Sequence, residues 1–165
     1  MSVAETRRDQ QFPVFDAGQL ETAKRLAGAV TQSPPVHRTF QPDFFRSRMY
    51  TREYLFDYVP ASLFVYGLKS ADELAAFLPK MSLQAQGWLG KPAAPIFVVG
   101  GTKDTQVPID DLELLINSGS EPREAWINPV GGHMGRTAST WPDPVIFRRV
   151  ILPWEVRHLS RKHID

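Results

Sequence analysis

The stretch that most constrains this chain is Pro95 to Asp104, which reads P-I-F-V-V-G-G-T-K-D. An apolar, β-branched run closed by glycines and then an acid describes a buried strand whose carboxyl end delivers a carboxylate. A second stretch, Val130 to Arg136, reads V-G-G-H-M-G-R and sets a histidine among glycines. The interval between them has room for one helix and one strand. Strand, helix and strand in that order bring the chain back to the same end of a parallel sheet. The pattern therefore predicts that Asp104 and His133 meet at the carboxyl edge of an α/β sheet.

The rest of the chain reads in the same style. Leu20 to Leu26 is a short helical candidate feeding a buried strand at Ala27 to Thr31, and the loop Gln32 to His37 carries two adjacent prolines that exclude a regular helix. From Asp43 to Leu78 the pattern is helical and aromatic, and Ser70 followed by Glu73 has the spacing of a capping box. Ile96 to Val99 is a strand, Pro108 to Ile116 a helix, Glu124 to Ile127 a strand and Pro144 to Leu159 a helix. Parallel strands joined by helices must be covered on both faces. About three strands are visible, against roughly five or six in an average sheet. One edge should therefore lack its neighbours, so that further strands come from a missing amino-terminal half, another chain covers the edge, or stability is marginal.

Composition narrows the function classes. Among 165 residues, 19 Lys and Arg nearly cancel 18 Asp and Glu, and no basic run exceeds a pair. That balance argues against nucleic-acid binding. The absence of cysteine removes disulfides, thiolate metal sites and a thiol nucleophile, and suits a reducing compartment. The opening residues M-S-V-A-E-T-R-R-D-Q-Q are polar where a signal peptide needs an apolar segment, and no apolar run is long enough to span a bilayer. A cytoplasmic protein without a membrane partner is the expectation. The four histidines show no metal-ligand pair spacing, and no motif calls for a cofactor.

An acid and a histidine brought to one sheet edge look like two members of a catalytic triad, in which a neutral imidazole takes the nucleophile's proton and a buried carboxylate orients the ring. The third member, a serine in a G-x-S-x-G turn, occurs nowhere in the chain. Here the residues carry a resemblance. G-G-T-K-D-T-Q-V-P (Gly100 to Pro108) resembles the G-x-x-D-x-x-V-P segment after the penultimate core strand of α/β-hydrolases, and G-G-H-M-G resembles the segment carrying their histidine. P-P-V-H-R-T-F-Q-P-D-F-F-R (Pro34 to Arg46) and T-R-E-Y-L-F-D (Thr51 to Asp57) are similar to the branch of FrsA-like esterases, pseudooxynicotine-type carbon–carbon hydrolases and fungal pigment-pathway hydrolases that shorten a polyketide.

The resemblance implies the carboxyl-terminal part of an α/β-hydrolase sheet with an inserted helical cap, a single partial domain over 1–165. Residues 20–36 would be core helix and strand, 37–90 the cap, and 91–165 the core elements carrying the acid and the base. It implies Asp104 as triad acid and His133 as general base. The reaction would be hydrolysis of an ester or a ketone-adjacent carbon–carbon bond in a small-molecule substrate, in secondary metabolism such as polyketide or pigment formation. The partner expected is a complementing amino-terminal half, or another copy through self-association. The alternative is a truncated paralogue without catalysis, acting as an interaction protein or without a selected role.

Other side chains compete for attention. His37, beyond a candidate strand, could line a substrate pocket or simply sit in a structural loop. Phe44, Tyr54 and their aromatic neighbours would suit an aromatic cavity, though most such stripes are packing. Asp110 and Asp111, at a helix start, fit the helix dipole. Gly131 and Gly132 would permit the turn that lifts His133 off the strand end. Ser82, Ser118 and Ser120 stand at no strand-to-helix elbow, and Ser33, beside His37, is the serine to suspect first if any reacts.

Overall fold

The computed structural model describes residues 27–49, 58–91, 94–119 and 123–161. Three strands, β1 (Ala29–Gln32), β2 (Ile96–Gly101) and β3 (Arg123–Asn128), form one parallel sheet in the order β1-β2-β3. Ala29 lies beside Ile96 and Ile96 beside Arg123, so all three carboxyl ends reach the same edge. The fold is α/β with a small open sheet. The helical candidate at Leu20 to Leu26 lies outside the described residues.

The central strand explains the layers. β2 is hydrogen-bonded on both sides, so each of its faces must be apolar, and the I-F-V-V run supplies both. Its alternation divides them. Val98 faces Val36, Leu89, Val107, Leu112 and Leu115. Phe97 and Val99 face Ile146, Ile151 and Trp154, with the Trp154 ring stacked on Phe97 at 5.4 Å. One face is thus covered by the helix that follows β2, and the other by the helical run at the carboxyl terminus.

β2 continues two residues beyond the expected Val99, through Gly100 and Gly101. Pairing with β3 extends it, because Gly100 and Gly101 lie in register with Ile127 and Asn128. A side chain at Gly100 would place its Cβ 2.1 Å from the Leu112 side chain. The glycine lets the following helix close onto the sheet.

Between β1 and β2 run α1 (Pro42–Arg48), α2 (Val59–Tyr66) and α3 (Ala71–Phe77). Phe40, Phe45, Leu74, Ala75 and Leu78 form their own buried cluster. Among the described residues the stretch expected to be helical from Asp43 to Leu78 holds these separate helices, and α2 ends where Gly67 adopts a left-handed φ of 65°. The capping spacing at the start of α3 is met in altered form. Ser70 Oγ accepts the Glu73 amide at 3.2 Å, but the Glu73 carboxylate takes the Lys69 amide at 2.8 Å.

After β2 comes α4 (Ile109–Ile116), with Pro108 as its N-cap residue. After β3 come α5 (Asp143–Ile146) and α6 (Leu152–Arg161), joined by a π-helical turn over Phe147–Ile151. The helix expected from Pro144 to Leu159 runs as one continuous helical segment, with its hydrogen-bond register widened ahead of Pro153, which has no N–H to donate and whose ring crowds the carbonyl one turn back. Among the described residues no helix is long and apolar enough to cross a membrane.

Asp111 corrects a sequence reading. It does sit in the first turn of α4, but its side chain is fully buried and serves the amino terminus of a different element. Its carboxylate accepts the amides of His37 and Thr39, each at 2.9 Å, the Arg38 amide and the Thr39 hydroxyl. It caps the single turn Arg38–Phe40 and so ties the segment after β1 to α4. Asp110, by contrast, is exposed. Replacing Asp111 with Ala leaves those buried donors without an acceptor, and each unsatisfied group costs about 1–3 kcal/mol. We expect Asp111→Ala to destabilise the fold by about 3 kcal/mol or more in urea unfolding, and Asp110→Ala by less than about 0.5 kcal/mol.

Candidate functional site

The loops leaving β2 and β3 are stitched together at the sheet edge. The Thr102 amide donates to the Asn128 carbonyl at 3.1 Å, the Lys103 amide to the Gly131 carbonyl at 2.9 Å, and the Thr102 hydroxyl to the Pro129 carbonyl at 2.8 Å. This requires the backbones to touch, since a Cβ on Gly101 would lie 2.2 Å from the Gly131 oxygen. Asn128, almost fully buried, holds the second loop from within. Its Nδ2 donates to the Gly135 carbonyl at 2.8 Å and its Oδ1 accepts the Val130 amide at 3.2 Å.

Asp104 and His133 face each other across this junction. His133 Nδ1 lies 3.0 Å from Asp104 Oδ2. Asp104 Oδ1 accepts the amides of Gln106 at 2.8 Å and Val107 at 3.0 Å, which fixes the carboxylate plane. The Asp104 side chain is 1% exposed and that of His133 is 27% exposed. Burial pushes the Asp104 carboxyl up, but bonds from His133, the Val107 amide, the Ser33 hydroxyl and the Gln106 amide outweigh it and hold the group below the usual carboxylate range. An ionised carboxylate can only accept, so Nδ1 carries a proton, and in the neutral ring Nε2 is the acceptor nitrogen. Among the described residues no hydrogen bond is made to Nε2. The pair is thus a buried acceptor, an oriented ring and an open basic nitrogen.

The turn that presents His133 is not made by the glycines first expected to make it. Gly131 and Gly132 both have negative φ, whereas Met134 (φ 60°) and Gly135 (φ 78°) take the left-handed conformation. Gly131 is needed for closeness instead, since a Cβ there would lie 2.5 Å from the Gly135 oxygen.

A cavity of about 280 Å³ reaches the loop after Asp104, although neither Asp104 nor His133 lines it. Gln106 and Val107, whose amides hold the carboxylate, form one wall, and Phe40, Tyr58, Tyr66 and Met81 form much of the rest. Burial pushes the Tyr58 phenol up, reinforced by Tyr66 and opposed by a bond to Ser62, so it stays neutral in the physiological range. The cavity is therefore apolar and aromatic without charged walls.

The structure places the other sequence candidates elsewhere. His37 does not line this cavity; its Nδ1 meets the buried Ser82 Oγ at 2.8 Å and the Gln41 amide nitrogen at 3.3 Å. Phe44 is buried between the guanidinium groups of Arg38 and Arg48, 5.6 and 5.5 Å from its ring centre, and is not part of the cavity wall. Its neighbour Asp43 is held down to about 2, first by its hydrogen bond from Arg38. Tyr54 and Ser120 lie outside the described residues. Ser118 donates to the Leu115 carbonyl and accepts from Arg123, as suits a helix exit.

Two contributors have roles that the sequence reading missed, since it weighed Ser33 only as a possible nucleophile. Ser33 is 3% exposed at the end of β1, and its Oγ accepts the Met134 amide at 2.8 Å. Asn128 is the other. The signal available for both was a small polar residue at a strand end directly before proline, in Q-S-P-P and I-N-P-V.

Compared with known proteins, the chain matches no family model and no curated sequence.

The site makes a pH prediction. A carboxyl whose folded pKa is depressed adds stability that is present above its unfolded value and is lost as pH falls through the folded value. For Asp104 that window starts near the ordinary value of 3.8 and extends below it. The stability gap between the wild type and Asp104→Asn should be widest near neutrality and should shrink as the pH falls from about 4 toward 2. Urea denaturation at stepped pH measures this, and a gap constant across that window would contradict it.

Proposed function

We propose that this chain carries the acid–base half of a serine-type α/β-hydrolase, with residues 37–90 forming the cap over an apolar substrate. The observation that supports it most is the buried Asp104 carboxylate bonded to Nδ1 of a histidine whose Nε2 is open, both at the carboxyl ends of neighbouring parallel strands. In the reaction, Nε2 takes the proton of a serine hydroxyl as its oxygen attacks the substrate carbonyl. Asp104 counters the charge that forms on the ring, and the proton then passes to the departing group. The cleaved bond is an ester or a carbon–carbon bond beside a ketone, and the tyrosine-lined cavity suits an aromatic or polyketide-like portion. The resemblance of the two glycine-rich segments to those of α/β-hydrolases supports the same reading.

In the same reading no serine of this sequence is the nucleophile. Ser33 and Ser82 are buried and bonded, Ser118 closes a helix, and no G-x-S-x-G occurs. In this reading the serine and the oxyanion donors come from polypeptide outside this sequence, pairing along the edge of β1 that has no strand partner among the described residues.

A serine-reactive fluorophosphonate tests the proposal. The chain alone should not be labelled. Co-expression with the amino-terminal half of an α/β-hydrolase bearing its elbow serine should create labelling at that serine. His133→Ala should then slow the labelling by about a thousandfold or more. Labelling of the chain alone, or labelling indifferent to His133→Ala, would sink the reading. Failure of every such half to acquire reactivity would favour a chain that keeps the pair only as an interlock between its loops.

A further inference from the structure

Among the described residues, two non-glycine positions have a left-handed backbone, Ser33 with φ 46° and Met134 with φ 60°. They are bonded to each other. Ser33 Oγ accepts the Met134 amide at 2.8 Å, across 101 positions of sequence, and Met134 directly follows His133. Strain of this kind persists only where the surroundings enforce it, and it clusters at sites whose geometry must be held. Ser33 is constrained further by Pro34, which narrows the conformations open to the residue before it.

We infer that Ser33 is a positioning residue for the Asp104–His133 pair, anchoring the His133 turn through the Met134 amide. The inference rests on the reading of that pair as an acid–base unit. The same buried hydroxyl helps hold the Asp104 carboxyl below its usual range. Ser33 therefore holds the backbone beside the ring by a bond and also favours the ionised form of the carboxylate. At 3% exposure it reaches no substrate, and its acceptor is engaged, so it acts through His133 and Asp104 alone. Alanine would keep the strain and lose the acceptor. Glycine would lose the acceptor and relieve the strain.

That difference separates positioning from mere stability. In the ¹⁵N-labelled chain, wild-type His133 should show a single tautomer with its proton on Nδ1 and a low-field, exchange-protected Nδ1–H signal. Ser33→Ala and Ser33→Gly should both lose that signal and show mixed tautomers to the same degree. Their melting temperatures should differ, with Ser33→Gly higher by about 2–4 °C because glycine adopts positive φ freely. The ring signal then follows the hydroxyl while stability follows the backbone. Should Ser33→Ala fail to fold, Ser33→Gly carries the test.

Asp104→Asn serves as the reference, and it should abolish the Nδ1–H signal. If the reference leaves the ring unchanged, the acid–base reading fails and this inference with it. If the reference moves the ring but Ser33→Gly keeps the wild-type signal, the role given to Ser33 is wrong and the pair stands.

Discussion

The structure depends on the close contact between the carboxyl ends of β2 and β3. The Thr102 and Lys103 amides donate to carbonyls of the β3 exit loop, and Gly101 lets the two backbones meet by having no side chain. Two loops that would otherwise run independently over the surface become one unit. Asp104 sits on one and His133 on the other. The 3.0 Å distance between their side chains follows from backbone bonds made one and two residues before Asp104, so neither side chain must find the other by rotamer search alone.

Three acids in this chain show how little the residue type decides. Asp43 stays on the surface in a paired contact with Arg38, where water screens much of its worth. Asp111 is fully buried and bonded by loop amides and a hydroxyl, so its role is to hold the segment after β1 against α4. Asp104 is nearly as buried, but one of its bonds comes from a titratable ring that is itself partly open to solvent. Only that arrangement links a buried charge to a group able to exchange protons with the outside. The chemistry of the site lies in the donor set around the carboxylate.

The legible part of the fold was local. The β-branched run with its glycines marked β2, the glycine-flanked histidine marked the end of β3, and their order predicted a parallel α/β arrangement with Asp104 and His133 at one edge, as found. What stayed hidden depends on partners distant in sequence. Asp111 reads as a helix-start acid until Thr39, 72 positions away, is seen to bond it, and Ser33 reads as loop until Met134 arrives at its hydroxyl. Phe44 shows the converse. An aromatic stripe suggests a binding surface, yet Arg38 and Arg48 close over this ring, while Tyr58, Tyr66 and Phe40 line the cavity instead.

Ser33 also gives the edge strand a share in the site. Ala29 and Ser33 turn their amides toward β2, so by alternation Val30 and Gln32 turn theirs to the side with no strand partner among the described residues. A four-residue strand bonded along one edge opens more readily than its neighbours, because fewer bonds must break together. Asp104 and the base of the His133 turn are held by the firm β2–β3 junction, but the Met134 anchor belongs to β1. The ring orientation is therefore only as rigid as the least supported strand of the sheet. Pairing along the free edge of β1 would stiffen Ser33, and through it the histidine, without any contact to the histidine itself.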